Sequence, residues 1–163
     1  IVKNIKDKEK DRNILLLSDR REHLKDLKNG IDNLKIGSCG YYVGGMKDNE
    51  LQYTEDNCDI ILATFSMAAE GLDLPKLDSV ILCSPKSSIE QSVGRILRKK
   101  MEDRVYIPLI IDIIDTFSMF INQSKKRIKY YKKCDYKIKY IKSKNTIDKQ
   151  LTEIKLEGKC YIK

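Results

Sequence analysis

The chain alternates between short apolar runs and amphipathic ones. "NILLLS" (13–18), "CGYYVG" (39–44), "DIILATF" (59–65), "SVILCS" (79–84) and "VYIPLIIDII" (105–114) are apolar nearly throughout and do not alternate. That is the pattern of strands covered on both faces, as in a parallel sheet. Between them, 20–28, 46–55, a short turn near 66–70, and 88–99 carry apolar residues at helical spacing. The alternation predicts a doubly wound α/β domain, a parallel sheet with helices on both faces.

After Asp115 the pattern changes. "TFSMFINQSKKRIKYYKK" puts Phe117, Phe120, Ile121, Ser124, Ile128 and Tyr131 on one helical stripe, with the lysines directed away from it. Beyond Cys134, "YKIKYIKSK" alternates like a strand, although Ile138 and Ile141 also suit a helix. The expected organisation is a linker at 1–12, an α/β domain at 13–133 and a basic C-terminal extension at 134–163.

Charge sharpens that division. Residues 1–124 hold 18 Lys/Arg against 20 Asp/Glu, whereas 125–163 hold 14 against 4, so the net +8 arises wholly in the last quarter. A polyanionic partner is expected there, and Lys126, Lys129 and Lys133 are the candidates, with Tyr130, Tyr131, Tyr136 and Tyr140 as stacking surfaces. The rival reading is a solvated face. A length of 163 residues with 41% hydrophobic and 34% charged residues fits one soluble domain with a core plus an appendage. No apolar run reaches the roughly 18 residues a membrane span needs. Neither a secretory signal nor an initiator Met opens the chain, so we expect a piece of a longer intracellular, cytoplasmic protein. Five cysteines at wide spacing, with a single histidine, predict reduced thiols and no metal site.

The segment "IEQSVGRILRKK" (89–100) carries the most chemistry. As a helix, at about 100° per residue, it places Ile89, Val93, Ile96 and Leu97 on one face and Gln91, Arg95 and Arg98 on the other. Gly94 leaves that outer face open to a partner. Two permanently charged guanidinium forks beside a carboxamide suit a phosphate whose charge grows in a transition state. The bland alternative is a surface helix with solvated arginines.

Two further segments bear on this choice. "ILLLSDRREHL" (14–24) is a strand ending in Ser18, Arg20 and Arg21, and "ATFSMAAEGLDLP" (63–75) presents Thr64, Gly71 and Asp73 after a strand. In this order the three segments resemble motifs IV, V and VI of the second RecA-like lobe of superfamily 2 helicases, over about 14–115. With "YYVGGM" and "PKSSIEQSVGRILRK" they look most like helicases of large DNA viruses and phages, including the poxvirus transcript-release group.

The resemblance implies a RecA-like fold and a role as half of an ATP-dependent helicase or translocase. Arg95 and Arg98 would be arginine fingers reaching the γ-phosphate of ATP with Mg²⁺ bound mainly on an N-terminal lobe, and Gln91 would arrange the attacking water. Gly71, Asp73 and Gly94 would line the nucleotide. Ser18, Arg20, Gly45 and Thr64 would touch DNA or RNA, Thr64 through a backbone phosphate. Two departures stand out: the Thr64-to-Gly71 interval is one residue longer than in DEAD-box proteins, and "GRILR" replaces the frequent G-R-x-G-R.

Other readings compete at single residues. Ser18 is either a nucleic-acid contact or a helix cap. The glycines of "VGGMKDNEL" make either a turn or a phosphate-binding backbone. His23 reads as a helix-surface residue, and Asp112 and Asp115 as caps at a strand end rather than metal ligands. With no G-x-x-x-x-G-K-[ST] loop and no D-E-x-H box, the chain is expected to be inactive alone. A nucleic-acid-binding module without motor function is the alternative. A small-molecule enzyme on a Rossmann-like sheet is disfavoured because "SDRREH" stands where a G-x-G-x-x-G turn belongs.

Overall fold

The computed structural model describes residues 1–70, 72, 74–96, 101–115, 117–142 and 150–155; for Arg95, Ile96, Met101, Lys142 and 150–155 it describes the backbone alone. Five parallel strands form the body of one sheet in the order β2-β3-β1-β4-β5: β1 (Ile14–Leu17), β2 (Cys39–Tyr42), β3 (Ile60–Ala63), β4 (Ser79–Leu82) and β5 (Leu109–Ile114). A C-terminal hairpin of β6 (Lys137–Lys142) and β7 (Gln150–Lys155) continues it, with β7 antiparallel to β5. The helices are α1 (Val2–Lys8), α2 (Arg21–Asn33), α3 (Asp48–Asn57), α4 (Phe65–Glu70), α5 (Glu90–Ile96) and α6 (Ser118–Lys133).

The apolar runs became strands because both their faces are covered. Leu15, Leu17, Ile61, Ala63, Val80, Leu82 and Ile110 pack with Phe65 and Ala68 of α4, Val93 of α5 and Tyr131 of α6. Ile14, Leu16, Ile60, Ile81 and Ile111 meet Ile5 of α1 and Ile31 of α2 on the opposite face. Each such side chain contributes roughly 1.5–3 kcal/mol when fully buried. At the amino edge, buried Lys6 donates to the carbonyls of Lys10 (2.6 Å) and Arg12 (3.1 Å), and Arg12 Nη1 donates to Ser79 Oγ and the Ile107 carbonyl, both at 2.9 Å. Residues 1–12 are thus fastened to the sheet.

Several expectations shift. β5 starts at Leu109 rather than near 105: Pro108 cannot donate to a ladder, and Val105 is exposed. α2 continues past 28 to Asn33 because Ile31 is buried in its last turns. The stripe on α6 is corrected at its N-terminal half, where Phe117 and Ile121 are exposed; the buried row is Ser124, Arg127 and Tyr131. Asp112 is no strand cap. It lies mid-strand with 0% exposure and accepts from Arg127. Asp115 follows the strand end as expected, but the residue at the N-cap of α6 is Phe117, and Asp115 Oδ1 accepts the Phe117 N–H at 3.3 Å in the turn ahead of the helix. The alternating segment after Cys134 is strand β6, so the helical option falls. No helix among the described residues is long and apolar enough to cross a membrane.

Candidate nucleotide and nucleic-acid site

The connection leaving β1 runs toward one edge of the sheet and that leaving β4 toward the other, so a topological switch lies between these neighbours. In open α/β sheets the crevice at the carboxyl ends of such strands is where ligands bind. Register aligns the ends: Leu17 pairs with both Ala63 and Leu82, and Tyr42 with Ala63. The segments that follow, 18–20, 43–46, 64–66 and 83–88, therefore emerge along one edge. Ser18, Arg20, Gly45 and Thr64 all stand there.

Hydrogen bonds tie these loops together. Arg21 Nη2 donates to the Gly44 carbonyl at 2.6 Å, joining the loops after β1 and β2. The Asp19 N–H donates to Ser84 Oγ at 3.1 Å, and Lys86 Nζ reaches Asp19 Oδ2 at 2.8 Å, joining the loops after β1 and β4 across the switch. Gly45 has φ +86 with open space where a Cβ would stand, a conformation that favours glycine and leaves its backbone approachable. Arg21 thus has a structural partner, while the exposed Arg20 guanidinium has none among the described residues. Ser18 is fully buried. Its Oγ accepts the Arg20 N–H at 3.2 Å and is hydrogen-bonded with His23 Nδ1 at 3.1 Å, so it shapes the loop that presents Arg20.

Thr64 is half-buried and begins α4: its carbonyl accepts from the Ala68 N–H at 3.0 Å, and its Oγ1 lies 3.2 Å from Ser66 Oγ and 3.4 Å from the Met67 N–H. The hydroxyls of Thr64 and Ser66 sit together at a helix start, where backbone N–H groups favour anions.

α5 docks beside α4. Ile89 and Val93 are buried as the helical pattern predicts, and Ser92, buried on the same side, donates through Oγ to the Phe65 carbonyl at 3.2 Å. That bond sets the helix of Gln91 next to the residue following Thr64. Gln91 is exposed, and nothing lies within 4 Å of where a Cβ on Gly94 would stand, so this side of α5 is open. At its start the Glu90 carboxylate accepts from Ser88 Oγ (2.8 Å) and the Ile89 N–H (3.0 Å). Hydrogen bonds from its own backbone, then from Ser88, hold its pKa below the ordinary value, so it is ionised where the helix dipole favours a negative charge.

Arg95 has its backbone in α5, but its side chain, and all of Arg98, Gly71 and Asp73, lie outside the described residues. Lys126, Lys129 and Lys133 are exposed on α6, an element apart from the loop cluster. Among the described residues no group of three or more His, Cys, Asp or Glu could hold a metal ion. Cys39, Cys58, Cys83 and Cys134 are free thiols, and burial pushes Cys39 and Cys83 up to about 12, which keeps them protonated and unreactive at neutral pH.

The residues that sequence reasoning missed are Asp112, Arg127, Lys86 and Ser92. A signal existed for the first two: an aspartate inside "LIIDII" must find a partner if the strand is buried, and Arg127 falls on the row of Ser124 and Tyr131.

The model of the family described as "Helicase conserved C-terminal domain" matches residues 1–100. The chain is 43% identical over 130 residues to the "Putative ATP-dependent RNA helicase L396" of Acanthamoeba polyphaga mimivirus, covering 78% of this chain and 24% of that protein. It is 30% identical over 127 residues to the "Transcript termination protein A18" of Camelpox virus (strain CMS), covering 72% of this chain and 23% of that protein. The chain thus spans about a quarter of the length of these relatives. Among solved structures it is similar to the C-terminal part of the Fun30 ATPase domain, with a TM-score of 0.61 at 18% identity over 75% of this chain and 40% of that one. The chain therefore belongs to the helicase conserved C-terminal domain family, and its parallel sheet with helices on both faces has the RecA-like fold of the C-terminal part of the Fun30 ATPase domain.

Proposed function

We propose that the chain is the second lobe of an ATP-dependent nucleic-acid helicase or translocase, completing an ATP site whose phosphates and Mg²⁺ are held mainly by an N-terminal lobe of the same protein. The observation that carries this reading is the docking of α5 by Ser92 on the Phe65 carbonyl. It sets a helix bearing Gln91, Gly94 and Arg95 beside the Thr64 turn, on the same carboxyl edge of the sheet as the switch between β1 and β4. The name of the mimivirus relative supports use of ATP and RNA, and that of the camelpox relative supports action on a transcript.

In this reading Arg95 and Arg98 supply charge to the γ-phosphate as the bond to it breaks, and Gln91 orients water. Gly71 and Asp73 line the nucleotide, and Gly94 lets it approach α5. Thr64, Arg20 and the Gly45 turn hold backbone phosphates, and Ser18 fixes the loop that carries Arg20. ATP supplies the cleavable anhydride; the lobe supplies position and charge. The chain alone is therefore expected to turn over no ATP. Turnover that survives removal of contaminating ATPases would overturn the half-site reading.

The basic C-terminal part extends the nucleic-acid track. Residues 125–163 carry net +10 (14 − 4) beside a body of net −2 (18 − 20). A solvated surface ordinarily mixes both signs. If Lys126, Lys129 and Lys133 neutralise phosphates, binding releases counterions, and log K falls with log salt by roughly 0.7 per contact on single strands. Changing all three to glutamate is expected to weaken binding to every sequence alike and to flatten the salt slope, with circular dichroism unchanged. An unaltered slope would return these lysines to solvent or to a protein partner.

A further inference from the structure

Asp112, Arg127 and Tyr131 have 0%, 2% and 0% exposure. Arg127 Nε and Nη2 donate to Asp112 Oδ2 (2.7 Å) and Oδ1 (2.8 Å), and Tyr131 OH donates to Asp112 Oδ2 at 3.0 Å. A buried pair of this kind adds little net stability over apolar side chains filling the same space. What it supplies is direction. With two arms of the planar guanidinium matched to the carboxylate, the third, Nη1, is aimed at one place, and there it donates to the backbone carbonyl of Lys86.

Lys86 lies in the loop that leads from β4 into α5. Its ammonium pairs with Asp19 in the loop after β1 and stands 5.4 Å from the centre of the Phe65 ring in α4. The residue is thus held through its backbone by α6 and through its side chain by two other parts of the candidate site. Its ammonium pair is partly exposed and adds little stability; the grip on its carbonyl comes from a buried side chain, Arg127.

We propose that Arg127, braced by Asp112 and Tyr131, is a positioning residue for the nucleotide site: it fixes the Lys86 carbonyl and with it the loop that sets α5, the helix of Gln91 and Arg95. The proposal rests on the reading of α5 as the nucleotide-facing helix. It also gives α6 two faces with linked tasks. The outer face carries Lys126, Lys129 and Lys133, and the inner face holds the loop entering α5.

The test is made in the full-length protein. Asp112→Leu/Arg127→Met/Tyr131→Phe replaces the whole network with apolar side chains and orphans no buried charge. It is expected to keep a urea midpoint near the parent's while lowering kcat for nucleic-acid-stimulated ATP hydrolysis by roughly ten- to a hundredfold, the scale of effect a misplaced catalytic group produces. KM for ATP should stay within about twofold, since uniform binding is untouched. Arg127→Lys, which keeps a cation beside Asp112 but loses the fork, is expected to lower kcat in the same way and decides the matter if the triple variant does not fold. Parental kcat in either folded variant overturns the proposal. Arg95→Ala run in parallel separates the layers: if it is inactive while the folded Arg127 variants run at the parental rate, only the positioning role falls. If Arg95→Ala itself keeps the parental kcat, the reading of α5 falls and the proposal with it.

Discussion

Arg95→Ala in the full-length protein is expected to lower kcat for ATP hydrolysis by about a thousandfold, at the lower end of what an arginine finger contributes, or roughly 4 kcal/mol of barrier. Charge on the transferred phosphoryl group changes most in the transition state, so a guanidinium aimed there acts on kcat more than on ground-state binding. Nucleic-acid affinity measured without nucleotide should therefore be unchanged. Arg95→Lys should recover little, because an ammonium on a flexible stem lacks the planar fork. Equal losses in kcat and in nucleotide-free nucleic-acid binding would instead put Arg95 on the nucleic-acid track.

The second large effect concerns the fold. Asp112→Ala is expected to destabilise the domain by about 3–5 kcal/mol, since it leaves the Arg127 guanidinium buried without its carboxylate. Arg127 is 2% exposed, so its guanidinium would be left out of reach of bulk water. Domains of this kind are held by only about 5–15 kcal/mol, so such a loss would be plain in urea unfolding followed by circular dichroism. Adding Arg127→Met to an Asp112→Leu background should recover most of it. A loss under about 1 kcal/mol in Asp112→Ala would mean that the guanidinium finds another acceptor.

The strands were legible because burial on both faces writes an unbroken apolar run, and Ile60 to Ala63, all at 0% exposure, is the plainest case. The inward face of α5 was legible for the same reason, through Ile89 and Val93. The loop cluster was legible only as an order of motifs. That Thr64 and Gln91 share a neighbourhood depends on Ser92 reaching the Phe65 carbonyl, and no local pattern announces a contact between segments so far apart in sequence. Arg127 was hidden differently. It sits in a lysine-rich run where a solvated reading is natural, and its distant partners, Asp112 in β5 and the Lys86 carbonyl, turn it inward. The hairpin of β6 and β7 was half legible: "YKIKYIK" alternates like a strand, but its pairing through β7 onto the edge at β5 is a long-range choice. Exposed Phe117 and Met119 went the opposite way, apolar by composition yet left outside.

On the proposed reading, this lobe completes an ATP site whose phosphates are held mainly by an N-terminal lobe. The measurement that tests it most directly is the rate of ATP hydrolysis, with and without nucleic acid, by the lobe alone, by the N-terminal lobe alone, and by the two joined in the full-length protein. No turnover is expected from this chain, at most slow turnover from the N-terminal lobe, and fast, nucleic-acid-stimulated turnover only when the two are joined, falling with Arg95→Ala. An N-terminal lobe that hydrolyses ATP as fast alone as when joined would contradict it and leave this chain a nucleic-acid-binding module.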